Sequence, residues 1–254
     1  MTAWYEHAFG REYLALYQHR DDTEAERDVR SIIDLISPNK DEPLLDLGCG
    51  AGRHLAALHR SGFTQLVGID LSEDLLAVAR ERLDEADADG VELVRCDMRA
   101  IPYVARFATV VSLFTSFGYF TDTGDDLAVL MGVNRALKNG GTFLIDTLNR
   151  DHVIANLVPQ EEKTLQDRVL HIKRRLSVDG KRVEKETRVI EKDGAERSFR
   201  ESVRMYTAIE LEKMLRESGF EEVRAYGSLS GDPYRAESNR LVLVAKKGTP
   251  THLV

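Results

Sequence analysis

Over the middle of the chain, short apolar runs alternate with amphipathic stretches, and the two periodicities predict strands and helices in turn. Runs at 44–47, 65–70, 91–96, 109–114 and 142–147 are rich in Leu, Val and Ile with few charges, as strands covered on both faces are. The intervening stretches 52–60, 73–87 and 125–137 read as helices, with Gly140-Gly141 placed as a cap after the last of them. Such alternation builds a parallel sheet with crossover helices. Ahead of it, Trp4, Tyr5, Phe9, Tyr13, Leu14, Leu16 and Tyr17 cluster at spacings of three and four, which predicts a helix with an aromatic face. A second helix, Thr23 to Ile36, places Val29, Ile32, Ile33 and Ile36 on one side and is stopped by Pro38.

After Asn149 the rhythm changes. Between Thr164 and Tyr206 the period is two, with Leu170, Ile172, Leu176 and Val178 on one face, and Asp179-Gly180 and Asp193-Gly194 give two hairpin signals. Three antiparallel strands are expected there. Thr207 with Glu210 forms a capping box for one more helix, which closes near Gly219. Strands at Glu222–Tyr226 and Arg240–Ala245 complete a sheet of about seven.

The chemistry is concentrated in Leu44 to His54, LLDLGCGAGRH, an apolar strand carrying Asp46 that breaks into glycines at 48, 50 and 52. Glycines let the main chain turn sharply and let a ligand approach it, and the free N–H groups of the following helix favour a negative group. Dinucleotide folds ask for G-x-G-x-x-G, whereas this loop reads G-x-G-x-G followed by Arg53. About 20 residues on, the second run ends in Asp70, placed to accept ribose hydroxyls. Ser72 is the better cap for the next helix, which leaves Asp70 for a ligand. The third run ends at Asp97-Met98 and the fourth in SFGYF.

These motifs, in this order, resemble the class I S-adenosylmethionine (SAM)-dependent methyltransferases, over most of the chain from the aromatic helix to Lys247. CDMR after the third strand, TSFGYF after the fourth and a strand-rich insert before the last helix are most similar to small-molecule N-methyltransferases, of the glycine N-methyltransferase and amino-sugar N,N-dimethyltransferase type. The resemblance implies an α/β fold: a Rossmann-like seven-stranded sheet with an antiparallel last strand, an N-terminal helical lid and an inserted antiparallel β-meander. Residues 1–40 then form the lid, 41–150 with 207–247 the SAM-binding domain, and 164–206 the inserted strands. It also implies that Asp97 faces the adenine amino group while Met98 packs on the ring. SAM is expected against Tyr5, Tyr13, Asp46, Gly48, Cys49, Gly50, Gly52, Arg53, Asp70, Leu71, Asp97, Met98 and Phe114.

On the acceptor side, Ser116, Tyr119, Asn149 and His152 follow the fourth and fifth strands at the carboxyl edge, where open α/β sheets bind ligands. Tyr119 and His152 are the expected catalytic residues. In the amino-sugar enzymes an N-terminal tyrosine closes over the cofactor, which Tyr5 or Tyr13 matches, and a histidine after the fourth strand serves the substrate amine; here Tyr119 stands instead. Two alternatives stay open: Tyr119 and Phe120 packing with Phe114 and Phe117, and His152 as a solvated loop residue.

Composition narrows the partners. The chain has 254 residues, is 43% hydrophobic and carries a net charge of −8, which suits one large core and disfavours a nucleic-acid substrate. A small-molecule acceptor is expected. No apolar run is long enough to span a bilayer and the N-terminus is charged and aromatic, so a cytoplasmic protein with no membrane partner is expected. Cys49 and Cys96 fit reduced thiols, and the seven scattered histidines offer no metal site. Lysines and arginines in the insert alternate with glutamates, a pattern of solvated faces. Its long hairpins need covering, which points to pairing of two copies through them. A non-catalytic SAM-binding module and, less favoured, a nicotinamide-dependent oxidoreductase remain as alternatives.

Overall fold

Leu44–Leu47 (β1) is buried at all four positions, as a central parallel strand covered on both faces must be. The computed structural model describes residues 3–10, 14 and 22–249. In chain order, Tyr5–Ala8 (α1) and Asp22–Ile36 (α2) precede β1, and Arg53–Arg60 (α3), Leu66–Asp70 (β2), Glu73–Glu85 (α4), Glu92–Arg95 (β3) and Phe107–Ser112 (β4) follow it. Thr123–Ala136 (α5) leads into Leu137–Leu148 (β5). Parallel pairing joins β1 to β2 and β4, β2 to β3, and β4 to β5.

Arg150–Asn156 (α6) then leads to four strands, Gln160–Leu165 (β6), Arg168–Leu176 (β7), Arg182–Ile190 (β8) and Glu196–Arg204 (β9). Ala208–Glu217 (α7), Phe220–Tyr226 (β10) and Arg240–Lys247 (β11) complete the fold. The large sheet runs β10-β11-β5-β4-β1-β2-β3, with β11 antiparallel to both neighbours. This is the Rossmann-like seven-stranded sheet with an antiparallel last strand. Because the chain winds outward through β2 and β3, then resumes on the other side of β1 with β4, the crevice at the carboxyl ends of β1 and β4 is the place for a ligand.

Apolar side chains pack on both faces of this sheet. Leu45, Leu47, Phe107, Val110 and Phe143 join α5 and α7 on one side, while Leu44, Val111 and Leu144 join α2 and α3 on the other. Each such side chain contributes about 1.5–3 kcal/mol by leaving water. Ser72 caps α4 through Leu75 N, and Thr207 and Glu210 form the capping box of α7.

Several local expectations are corrected. The insert has four strands, order β6-β7-β8-β9: β6, QEEKTL, is a polar edge strand that owes its conformation to pairing with β7. Gly140-Gly141 does not cap α5. That helix ends at Ala136, and the chain goes straight into β5, where Leu137 pairs with Phe107 and a register shift follows. Val178 leaves the apolar face and is fully exposed in the hairpin turn between β7 and β8, while Leu170 and Ile172 bury against Val189. Of the expected aromatic helix, α1 is described, and Tyr13 and Tyr17 lie outside the described residues. Among the described residues no helix is long and apolar enough to cross a membrane.

Candidate active site

At the carboxyl ends of β1 to β4 the structure opens a cavity of about 830 Å³. Its wall brings together Tyr5, Asp46, Gly48, Cys49, Gly50, Arg53, Asp70, Leu71, Asp97, Met98, Phe114 and Tyr119 from the residues singled out in the sequence. Phe9, Leu14, Asp22, His54, Arg82 and Phe120 also line it. Gly52 caps α3 at a φ of 74°.

The glycine loop is shaped by contacts on both sides. Gly48 sits at a φ of 79°, and a Cβ there would lie 2.6 Å from Cβ of Ser116, so no side chain fits. Ser116 Oγ in turn donates to Gly48 O at 3.2 Å, tying the loop after β4 to the loop after β1. Gly50 N donates to Asp70 Oδ2 at 2.8 Å, and Ser72 N donates to Asp70 Oδ1 at 2.9 Å. The expectation that Asp70 is left free by Ser72 therefore needs amending: the carboxylate braces the glycine loop. A carboxylate offers about four acceptor sites, and with backbone hydrogen bonds from Ser72, Gly50 and Leu71 on this one it retains capacity for a ligand hydroxyl.

Three acids give the cavity its electrostatics. Burial pushes Asp46 up to about 6; His54 and Arg53 oppose the shift and Asp70 adds to it. Its Oδ2 is buried with no hydrogen-bond partner among the described residues. Burial also raises Asp70, against the pull of its backbone hydrogen bonds. Asp97 differs: burial acts upward, but the hydrogen bonds from Arg99 outweigh it and hold the carboxyl below the usual value. Arg99 Nη2 lies 2.6 Å from Asp97 Oδ2, and its guanidinium lies 4.6 Å from the centre of the Phe120 ring. Cys49 is buried and its thiol is raised well above normal by that burial and by Asp70 and Asp46, so it is no nucleophile.

Part of the cavity wall is aromatic. The Tyr119 ring stacks on Phe9 at 5.4 Å and meets Trp4 edge-on at 5.2 Å, while Tyr5 meets Phe120 edge-on at 5.3 Å. These contacts seat the N-terminal segment over the loop after β4, and Ser72 Oγ donating to Phe9 O at 2.5 Å anchors it to the cofactor-side loop. His152 and Asn149 are placed elsewhere. His152 lies outside the cavity lining, on α6, with Nδ1 3.1 Å from Glu237 O. Asn149 is fully buried and donates to the carbonyls of Arg235, Ala236 and Ser238, which makes it a clamp on the 235–238 loop.

One feature of the wall escaped sequence reading. Phe114 and Thr115 hold φ of 60° and 68°, a costly region for such residues. Asp146 Oδ2 accepts from Phe114 N at 3.1 Å, and its Oδ1 accepts from Arg240 Nε at 2.7 Å. Arg240 and Arg53 flank the Phe114 ring, 5.6 Å and 4.9 Å from its centre. An aspartate inside the apolar run FLIDTL was the available signal.

The residues present fit a cationic nucleoside with an amino-acid tail. Asp46 Oδ2 is a buried carboxylate oxygen at the cavity wall with no partner among the described residues, Gly48 leaves room for close approach, and acids stand at the ends of β2 and β3. Residues 44–141 match the family model of a methyltransferase domain. A curated relative, the dTDP-3-amino-3,4,6-trideoxy-alpha-D-glucopyranose N,N-dimethyltransferase of Streptomyces venezuelae, is 32% identical over 57% of this chain, a match that spans 61% of the relative. The cypemycin N-terminal methyltransferase of a Streptomyces species is 27% identical over 80% of this chain and 82% of its own. Among solved structures, a SAM-bound amino pentose methyltransferase from Micromonospora echinaspora superposes with a TM-score of 0.68 at 24% identity, covering 93% of this chain and 97% of that one.

Proposed function

We propose that the chain is a SAM-dependent methyltransferase that transfers a methyl group to an amine nitrogen of a small acceptor, a reading supported by the methyltransferase-domain match over residues 44–141 and by the fold. The observation that carries this reading is one cavity whose wall joins the acids Asp46, Asp70 and Asp97 and a glycine loop to the rings of Tyr5, Phe9, Tyr119 and Phe120. The activities named for the two curated relatives, an N,N-dimethyltransferase of an amino-deoxy sugar nucleotide and the cypemycin N-terminal methyltransferase, support nitrogen as the acceptor atom.

When bound, SAM supplies a methyl group on a sulfonium that needs no further activation. The chain's own part is to bind, orient and exclude water. Asp70 would take the ribose hydroxyls, Asp97 the adenine amino group with Met98 beside the ring, and Asp46 the charge of the amino-acid tail. Tyr5 and Phe9 close the aromatic part of the wall, and the Tyr119 hydroxyl orients the acceptor lone pair. In-line displacement needs that lone pair about 3 Å from the methyl carbon, with competing water kept out. An amine that arrives neutral needs no general base, which agrees with the placing of His152 away from the cavity.

The test is a panel of amines offered with methyl-labelled SAM, led by amino sugars and peptide N-termini. N-methylated product from at least one amine supports the reading. Transfer confined to hydroxyl or carbon acceptors would replace it.

A further inference from the structure

Arg182 opens β8 in the inserted sheet, yet its guanidinium reaches the loop that carries the aromatic part of the cavity wall. Nη1 donates to Phe120 O at 2.8 Å, and Nη2 lies 3.1 Å from Tyr119 O and 3.3 Å from Gly118 O. The remaining donors go to Ser202 on β9, Nε to its Oγ at 2.9 Å and Nη2 to its carbonyl at 2.6 Å. One side chain thus holds the carbonyls of three consecutive residues, two of which, Tyr119 and Phe120, line the cavity. A second strand of the insert completes the grip: Arg204 N donates to Gly118 O at 2.7 Å and Arg204 Nη2 to Thr121 O at 3.2 Å. The approach is so close that a Cβ on Gly118, whose φ is 92°, would fall 2.5 Å from Arg204 O.

The chemistry requires arginine. A planar fork with five donors can serve several carbonyls at once, whereas a lysine ammonium is a compact charge on a flexible stem. The main chain between Gly118 and Phe120 carries the rings of Tyr119 and Phe120, so fixing the carbonyls fixes the rings. The glycine loop and the acids come from β1, β2 and β3 with their loops, and they meet this loop at Ser116 and at Phe120, where Arg99 lies over the ring.

We propose that Arg182 is a positioning residue for the acceptor: through the carbonyls of Gly118, Tyr119 and Phe120 it sets the aromatic wall against which the acceptor lies. The inserted sheet, which supplies no residue to the cavity lining among the described residues, is thereby the element that tunes acceptor fit. This rests on the reading of that loop as the acceptor wall.

Trp4 is the single tryptophan of the chain, and its ring centre lies 5.2 Å from that of Tyr119, so its emission reports where Tyr119 sits. The experiment compares Arg182→Lys and Arg182→Gln with the unmodified chain. Expected in both is red-shifted tryptophan emission with stronger acrylamide quenching, while circular dichroism stays at its unmodified value and the calorimetric affinity for S-adenosylhomocysteine falls less than it does in a chain lacking residues 1–20. Unshifted emission in either folded variant overturns the proposal, Arg182→Lys included, since charge alone would then suffice. A fall in S-adenosylhomocysteine affinity as large as that caused by removing residues 1–20 also overturns it, because the clamp would then serve the whole cavity. Failure of both variants to fold makes Arg182 a determinant of the fold and overturns it as well. The methyltransferase reading fails separately, through an unmodified chain that binds no S-adenosylhomocysteine.

Discussion

Replacing Asp46 with asparagine removes a carboxyl that burial pushes up to about 6 from 3.8. A displacement of that size is worth about 3 kcal/mol. Its sign follows from proton counting. Between the unfolded and folded values the native chain binds more protons than the unfolded chain, so stability is greatest below the lower value and falls as pH rises through the higher one. The asparagine of the variant cannot ionise, and the variant so loses this dependence. An unpaired amide in that place carries a cost of about 1–3 kcal/mol, but that cost is the same at every pH and cancels when two pH values are compared. Integrated from about pH 5 to about pH 7.5, the stability of Asp46→Asn relative to the unmodified chain should rise by about 1 kcal/mol. Urea denaturation at the two pH values measures it, provided the slope with denaturant is shared. Affinity for SAM should also rise with pH in the unmodified chain alone, because a cationic ligand favours the ionised acid. A stability difference that is equal at both pH values would refute the assignment of Asp46 as the raised acid of the cavity.

Asp70→Ala should weaken SAM binding by about 1–3 kcal/mol in calorimetry through loss of charge-assisted hydrogen bonds, and unchanged affinity would move the ribose contact elsewhere. Tyr119→Phe should lower turnover, toward the hundredfold that a misplacement of about 1 Å can cost, with SAM affinity intact; normal turnover would return Tyr119 to the aromatic packing. Removing residues 1–20 takes Tyr5 and Phe9 from the cavity wall and should leave a folded chain with poor affinity for S-adenosylhomocysteine. Normal binding by that truncated chain would show that the segment is no lid.

The large sheet was legible because its central strands are covered on both faces and so read as unbroken apolar runs, LLDL and FATVVS among them. The glycine loop was legible because few other residues tolerate its φ values. The insert was harder. QEEKTL in β6 has no alternation, since an edge strand half in solvent has little to bury, and RDHVIAN in α6 is a short helix set by the cap at Asn149. Site residues that belong to a local motif were found, and the cavity joins them from several loops, whereas partners that belong to no motif were not. Asp146 meets Arg240 from 94 residues away and Arg182 meets Phe120 from 62, and no local pattern announces such pairs. Asp70 shows the limit from the other side: its place at the end of β2 was readable, but its bond to Gly50 N depends on how two loops approach.

The most direct test of the central claim is isothermal titration of the unmodified chain with S-adenosylhomocysteine and with NAD. Binding of S-adenosylhomocysteine with a dissociation constant on the order of micromolar, and no heat from NAD, is the predicted result. NAD binding without S-adenosylhomocysteine binding would contradict it.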